Sequence, residues 1–160
     1  MGEDDVPHAD IELDSGAEPG EFKSRLLSLL RRLLPEWADV RDIAAEPITG
    51  GITNELTLAT PTAHAPGSRE GDETRRRGGG EEGRVEPVVV RVFGNGTDAF
   101  LDRAAENRAV RALNARGFGA TCLATFANGR VEEALTRLRP MTPAEMPTPG
   151  GAAAIAGAMA

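Results

Sequence analysis

Glu46-Pro47-Ile48-Thr49-Gly50-Gly51-Ile52-Thr53-Asn54-Glu55-Leu56 is the stretch around which the rest of the chain is organised. Two adjacent glycines follow one strand-like run and precede another. Glycine reaches positive φ at no steric cost, and without Cβ atoms successive N–H groups can converge on an anion. Thr53 and Asn54 add side-chain donors. A lone Gly-Gly also describes an ordinary hairpin turn. The spacing is neither a Walker A loop nor GxGxxG.

A second stretch bears on that choice. Val88-Val89-Val90-Arg91-Val92-Phe93 is a buried-strand pattern interrupted by one arginine. A cation inside such a strand is costly unless it is paired or bound to an anion. A glycine hairpin followed by a strand with an embedded cation is the arrangement by which a kinase small lobe holds nucleotide phosphates.

Composition narrows the partners. The 160 residues suffice for one domain with a core, and their net charge of −7 argues against nucleic acid as the main partner. A local cationic site for a nucleotide is untouched by that argument. One cysteine, Cys122, excludes an intramolecular disulfide framework and fits a reducing, cytoplasmic setting. Its expected role is that of a small buried hydrophobe. The acidic N-terminus has no apolar signal-peptide core, Gly2 lacks the downstream Ser or Thr of a myristoylation signal, and no apolar run is long enough for membrane insertion.

Along the chain, residues 1–20 are acidic with Pro7, Gly16, Pro19 and Gly20, and read as a disordered tail. Residues 21–34 read as a helix, with Phe22, Leu26, Leu29, Leu30, Leu33 and Leu34 at helical spacing and Pro35 as the stop. Its Lys23, Arg25, Arg31 and Arg32 would suit a membrane surface, but packing on the domain or on a second copy is the favoured reading. Strands are expected at 40–48 and through Leu56 and Leu58, whose side chains are expected to face the core. Residues 61–86 hold six glycines, two prolines and eleven charges, and read as a disordered insertion at a hairpin tip. Within it Arg75-Arg76-Arg77 has acidic neighbours on both sides, which favours a solvated loop over a nucleic-acid patch.

After the Arg91 strand, Gly94-Asn95-Gly96 reads as a turn and Thr97 as an N-cap. A helix is expected over 98–116, ended by Gly117, with Ala109, Val110 and Leu113 on its core face. Glu106 shares that face. It could meet Arg91, or it could pair locally with Arg103; spacing leaves both open. Residues 122–126 read as a strand, Asn128-Gly129 as a hairpin turn, and 130–135 as the returning strand. Residues 140–146 suggest a linker with a short helical turn, 147–151 a break, and 152–160 the start of a helix.

The order of strand, glycine loop, strand, Arg-bearing strand, helix with a glutamate, and hairpin resembles the small lobe of the protein-kinase-like fold. The residues are similar to those of the choline/ethanolamine kinase family, above all its ethanolamine kinase branch. Ile48-Thr49-Gly50-Gly51-Ile52-Thr53-Asn54 resembles its phosphate loop, and Val90-Arg91-Val92-Phe93-Gly94-Asn95 its Arg strand. Asp102-Arg103 with Glu106 resembles its DRxxE helix, and Gly117-Phe118-Gly119-Ala120 with Phe126-Ala127-Asn128-Gly129 its helix end and hairpin.

The resemblance implies an α+β fold: a protein-kinase-like small lobe over 21–135, an antiparallel sheet with one long helix, and 136–160 as hinge linker and start of a large lobe otherwise missing. It implies ATP-dependent phosphorylation of ethanolamine, the first step of phosphatidylethanolamine synthesis. Gly50, Gly51, Ile52, Thr53, Asn54, Glu55 and Leu56 would touch the nucleotide phosphates. Arg91 would replace the protein-kinase lysine and be held by Glu106. Backbone groups of Glu133 and Leu135 would meet adenine, although Ala134 stands where the family has a bulkier apolar residue. Substrate, magnesium and catalytic-base residues belong to the large lobe; the last aspartate here is Asp102, and Glu145 is the sole acidic residue after Leu135. The chain is therefore read as an N-terminal part of an ethanolamine kinase, inactive by itself. Choline or another small alcohol as substrate, and a non-catalytic nucleotide-binding or homodimerising module, are the competing readings.

Overall fold

Leu26, Leu29, Leu30 and Leu33 form the buried stripe of helix α1, Pro19–Leu33. The computed structural model describes residues 6–49, 54–64, 85–94 and 102–159. Pro19 sits in the first turn of α1, where its missing N–H leaves no intrahelical bond unmade. Pro35 ends the helix and opens a 3-10 turn, Pro35–Trp37, that buries Trp37. The leucine stripe of α1 packs on the domain. The basic residues lie outside it: Lys23 pairs with Asp42 at 2.7 Å, and Arg31 Nε donates to the Ala38 carbonyl at 3.2 Å.

The sheet beneath α1 contains β1 (His8–Ala9), β2 (Val40–Ile48), β3 (Asn54–His64), β4 (Val88–Phe93), β5 (Cys122–Phe126) and β6 (Gly129–Glu133). Their spatial order is β1-β5-β6-β4-β3-β2. The β2-to-β6 pairings are antiparallel, and β1 joins β5 in parallel. Pro47 is tolerated in β2 because that strand is an edge, where one row of N–H groups has no ladder to serve. Helix α2 is Arg103–Asn114 and helix α3 is Pro149–Met159. The mixed architecture agrees with the α+β small lobe expected, apart from the added parallel strand.

Alternation along the strands sorts residues onto two faces. Val88, Val90, Val131 and Ala124 join the α1 leucines, Trp37, Val40 and Ile43 in one core. Leu56 and Leu58 do not join it. Their cross-strand partners are Arg91 and Val89, so they share the opposite face and stay half-buried; Ala59, opposite Val88, takes the core position.

Several expectations are corrected. Within residues 1–20, residues 1–5 lie outside the described set, but 6–20 are not a free tail. The Thr125 N–H donates to the Pro7 carbonyl at 2.9 Å and Ala127 N–H to the Ile11 carbonyl at 3.1 Å. Asn128 clamps Leu13, accepting from its N–H at 3.0 Å and donating to its carbonyl at 2.8 Å. Ala9 and Leu13 are each 2% exposed, so two apolar residues in an acidic stretch anchor it. His8 accordingly lies in β1, with Nδ1 2.9 Å from Thr125 Oγ1. The insertion begins later than residue 61: Pro61, Ala63 and His64 pair with Ile43, Asp42 and Val40, because backbone pairing to a long neighbour needs no apolar side chains. Residues 65–84 lie outside the described set.

The hairpin between β5 and β6 is offset by one residue. Phe126 pairs with Gly129, so Ala127 and Asn128 form the loop, and no described non-glycine residue has positive φ. Gly129 serves close approach instead: a Cβ there would collide with the Arg91 carbonyl and the Phe126 ring.

Thr97 lies outside the described residues; Asp102 caps α2, its Oδ1 accepting from the Ala105 N–H at 2.9 Å. Gly117, at φ +73°, closes the helix as expected. Ala109 and Leu113 are exposed, and the half-buried residues of α2 are Arg103, Ala105, Glu106, Asn107, Val110, Arg111 and Asn114. A largely polar stripe suits the face it meets, which carries charges. Residues 149–151 do not break the chain but open α3: Thr148 Oγ1 accepts from the Gly151 N–H at 3.1 Å, a cap that offsets the poor helix propensity of the glycines.

Candidate functional site

Ile48, Leu56, Arg91, Arg130 and Thr125 form one row of cross-strand partners running from β2 to β5. Arg91 and Arg130 are thus directly opposite each other. Side chains so placed have Cβ atoms only about 5 Å apart, and like charges there repel. Glu132 lies two residues along β6 on the same face. It is diagonal to Arg91 and answers both cations.

The resulting ladder alternates in sign. Arg91 Nε donates to Glu132 Oε1 at 3.0 Å and Arg91 Nη2 to Oε2 at 3.2 Å, a fork-on-fork pair that fixes the guanidinium plane. Arg130 Nε reaches Glu132 Oε1 at 2.5 Å and Arg130 Nη1 reaches Glu106 Oε1 at 3.0 Å. Arg103 Nη1 closes the ladder on Glu106 Oε2 at 2.8 Å. The Arg103 guanidinium stacks 4.3 Å from the Phe93 ring centroid. The middle is buried, with the Arg130 side chain 7% and Glu132 10% exposed, whereas Arg91 at 23% lies nearer solvent.

Protonation follows this placement. Burial pushes the Glu132 carboxyl up, but hydrogen bonds from Arg91 and Arg130 outweigh it and hold the group below the usual carboxylate range. Glu106 has the same balance, with Arg103 and Arg130 as donors. Burial lowers Arg130, and Glu132 and Glu106 more than restore it. Burial raises the Cys122 thiol, in keeping with a packing role.

Glu106 does face the sheet, but the expected Arg91–Glu106 pair is not what forms. Glu106 meets Arg103 and Arg130, and Arg91 meets Glu132. The adjoining strand offers a carboxylate on the same face as Arg91, and Arg130 needs one from α2. Glu132 was missed from sequence, although Arg130-Val131-Glu132 carried a signal: opposite charges two apart on a strand share a face.

Gly50, Gly51, Ile52 and Thr53 lie outside the described residues. Register nevertheless puts the strand leaving them beside the ladder, since Asn54 pairs with Phe93 and Leu56 with Arg91. The buried Asn54 Oδ1 has no hydrogen-bond partner among the described residues. Glu55 is exposed.

The other end of the face is the segment after β6. The Glu133 N–H is committed to the Thr121 carbonyl at 2.8 Å, so it is not available to an incoming group. Leu135 is 45% exposed and, with Glu86, Pro87, Ala134 and Leu138, lines a cavity of about 340 Å³. From Arg91 to Val88, the β4 partner of Glu133, is three strand residues, roughly 10 Å at ~3.3 Å each. A cation at one end and a half-apolar cavity at the other suit a ligand with an anionic tail and a flat apolar head. No group of three or more His, Cys, Asp or Glu side chains that could hold a metal occurs among the described residues. No helix among them is long and apolar enough to cross a membrane.

A family model described as choline/ethanolamine kinase matches residues 45–160. The chain is 28% identical over 153 residues to a probable ethanolamine kinase of Arabidopsis thaliana, covering 94% of this chain and 36% of that protein. It is 31% identical over 128 residues to ethanolamine kinase 1 of Mus musculus, covering 80% of this chain and 30% of that one. The chain thus spans about a third of the length of these curated relatives. The crystal structure of a choline kinase from Cryptosporidium parvum Iowa II superposes with a TM-score of 0.55 at 19% identity, over 77% of this chain and 29% of that one, a likeness of fold.

Proposed function

Because the chain belongs to the choline/ethanolamine kinase family, we propose that it is the nucleotide-holding lobe of an ATP-dependent kinase that phosphorylates ethanolamine. The observation that carries this is Arg91, held in a two-pronged pair with Glu132 on the half-open face of the sheet, opposite Leu56 of β3.

ATP would supply its γ-phosphoryl group to the hydroxyl oxygen of the amino alcohol, with ADP as the leaving group and the hydroxyl proton passing to a base. Arg91 holds and neutralises phosphate oxygens. The sequence Gly50-Gly51-Ile52-Thr53-Asn54 would supply further donors to the same oxygens. The Glu133 carbonyl and the Leu135 N–H meet the adenine edge, and Leu56, Leu58 and Val89 offer an apolar surface to its ring. Glu106 acts at one remove, through Arg130. The described residues fit the polyphosphate but not its magnesium ion, for which they offer no ligand cluster. Ethanolamine is preferred to choline on the likeness of Ile48-Thr49-Gly50-Gly51-Ile52-Thr53-Asn54 and Val90-Arg91-Val92-Phe93-Gly94-Asn95 to the ethanolamine kinase branch; similar sequences include a probable choline kinase as well.

The test is the purified chain incubated with labelled ATP, magnesium, and ethanolamine or choline, beside an Arg91→Ala control. The expected result is nucleotide retained by the wild type, weakened in the control, and no phosphorylated alcohol from either. Product above the control would overturn the view that these residues only hold nucleotide. Equal nucleotide retention by both proteins would overturn the role of Arg91.

A further inference from the structure

We propose that Glu132, braced by Arg130, is the positioning residue that aims Arg91 at a nucleotide's phosphates, in place of the helix glutamate Glu106. This rests on the reading of Arg91 as a phosphate-binding cation. The assignment of Glu132 rests on the sheet itself.

Glu132 grips one edge of the Arg91 guanidinium with both of its oxygens, through Nε at 3.0 Å and Nη2 at 3.2 Å, so it sets the plane as well as the position of the group. The same carboxylate takes Arg130 Nε at 2.5 Å. Arg130 stands directly opposite Arg91 in the antiparallel register. Without an anion between them the two cations would push apart, and Arg91, the more exposed, would swing outward.

Glu106 is poorly placed for this task. Its carboxylate is committed to Arg103 at 2.8 Å and Arg130 at 3.0 Å. It also rides on a helix that meets the sheet through polar and cation–π contacts: Ala109 and Leu113 of α2 are exposed, Asn114 bonds the Cys122 N–H at 2.8 Å and the Ala120 carbonyl at 2.9 Å, and Arg103 stacks on Phe93. Glu132 belongs to the same hydrogen-bonded sheet as Arg91. A shift of α2 would change the Glu106–Arg130 contact and leave the Arg91–Glu132 fork in place. In this lobe the phosphate cation is therefore set by the sheet, and α2 influences it only through Arg130.

The test compares Glu132→Gln and Glu106→Gln in the whole chain, with arginine side chains labelled with ¹⁵N. One readout is the exchange-protected Nε–H resonance of Arg91. The other is affinity for ATP and for adenosine, which lacks phosphates. Glu132→Gln should abolish protection of the Arg91 resonance and weaken ATP about tenfold, the scale of one charge-assisted hydrogen bond, while adenosine changes less than about twofold. Glu106→Gln should keep the resonance and cost ATP less than about threefold. Glu132→Asp, which keeps the charge but shortens the arm, should reproduce the loss and covers the case in which Glu132→Gln does not fold. Equal loss of ATP and adenosine affinity, or a larger loss from Glu106→Gln, would overturn the proposal. If the wild type bound neither ligand, the functional reading would fall. The resonance would then decide the positioning claim: lost in Glu132→Gln it stands, retained it falls.

Discussion

Under α1 the sheet presents Val88, Val90, Val131 and Ala124, each 3% exposed or less, whereas on the other side the same strands present Arg91, Arg130 and Glu132. The first face is closed by leucines and Trp37, and among the described residues the buried charged side chains, Arg130 and Glu132, lie on the other face. The second is roofed by a helix whose inward stripe is largely polar, and is open at Leu56, Leu58 and Arg91. Two faces of one set of strands thus divide the labour. Apolar burial is indifferent to direction and gives stability. Charges in alternation are worth little net stability but fix where each group points. Under the proposed function, this arrangement suits a lobe that offers a cation to a ligand without letting it wander.

The comparison can be broken first on the apolar face. Trp37→Ala should destabilise the fold by about 3–5 kcal/mol, since it removes a large side chain that is only 1% exposed. Denaturant unfolding measures this, and the Arg91 environment of the remaining folded molecules should be unchanged. A loss under about 1 kcal/mol would show that the α1 face is not the stabilising one.

On the charged face the effect should be smaller and should depend on pH. Arg130→Met strands Glu106 and Glu132 and should cost about 2–3 kcal/mol, below the ~3–5 kcal/mol of a fully buried broken pair because Glu106 remains 31% exposed. Glu106 and Glu132 lie below their ordinary value of 4.5 when folded, so the unfolded chain takes up their protons first on acidification. Their contribution is therefore full above about pH 4.5 and is lost as pH falls through the lower folded values. Urea melts of the wild type should weaken on going from pH 6 to pH 3, and those of Arg130→Met should weaken less. Parallel pH profiles would mean that the ladder does not govern acid stability.

The smallest effect should come from the edge. Asn128→Ala removes both bonds to the Leu13 backbone and should cost about 1–2 kcal/mol. Hydrogen exchange should speed up at the Thr125 and Ala127 amides, which bond the N-terminal segment, and not at Val90. Faster exchange at Val90 as well would mean that the N-terminal segment and the core open together.

What the sequence revealed and what it hid follow from the same contrast. Helix α1, the strands β2 and β5, and the Gly117 stop were legible because a leucine period, a run of apolar residues and a left-handed glycine are local features. The cation on β4 was legible as an anomaly in a buried pattern. Its partner was not, because the choice between Glu106 and Glu132 depends on the β4–β6 register, a non-local fact. The N-terminal segment was misread because composition counts its acids, whereas Ala9, Leu13 and a clamp from Asn128, more than a hundred residues away, decide its fate.

In the proposed function the face carrying Arg91 is the nucleotide face and the α1 face is not. The most direct measurement is an ATP titration of the uniformly labelled chain followed by amide and methyl chemical shifts. Saturable shifts are expected at Leu56, Arg91, Glu133 and Leu135, with Leu26, Leu30 and Trp37 silent. Shifts centred on α1, or saturation that leaves Arg91 and Leu56 unmoved, would contradict that function.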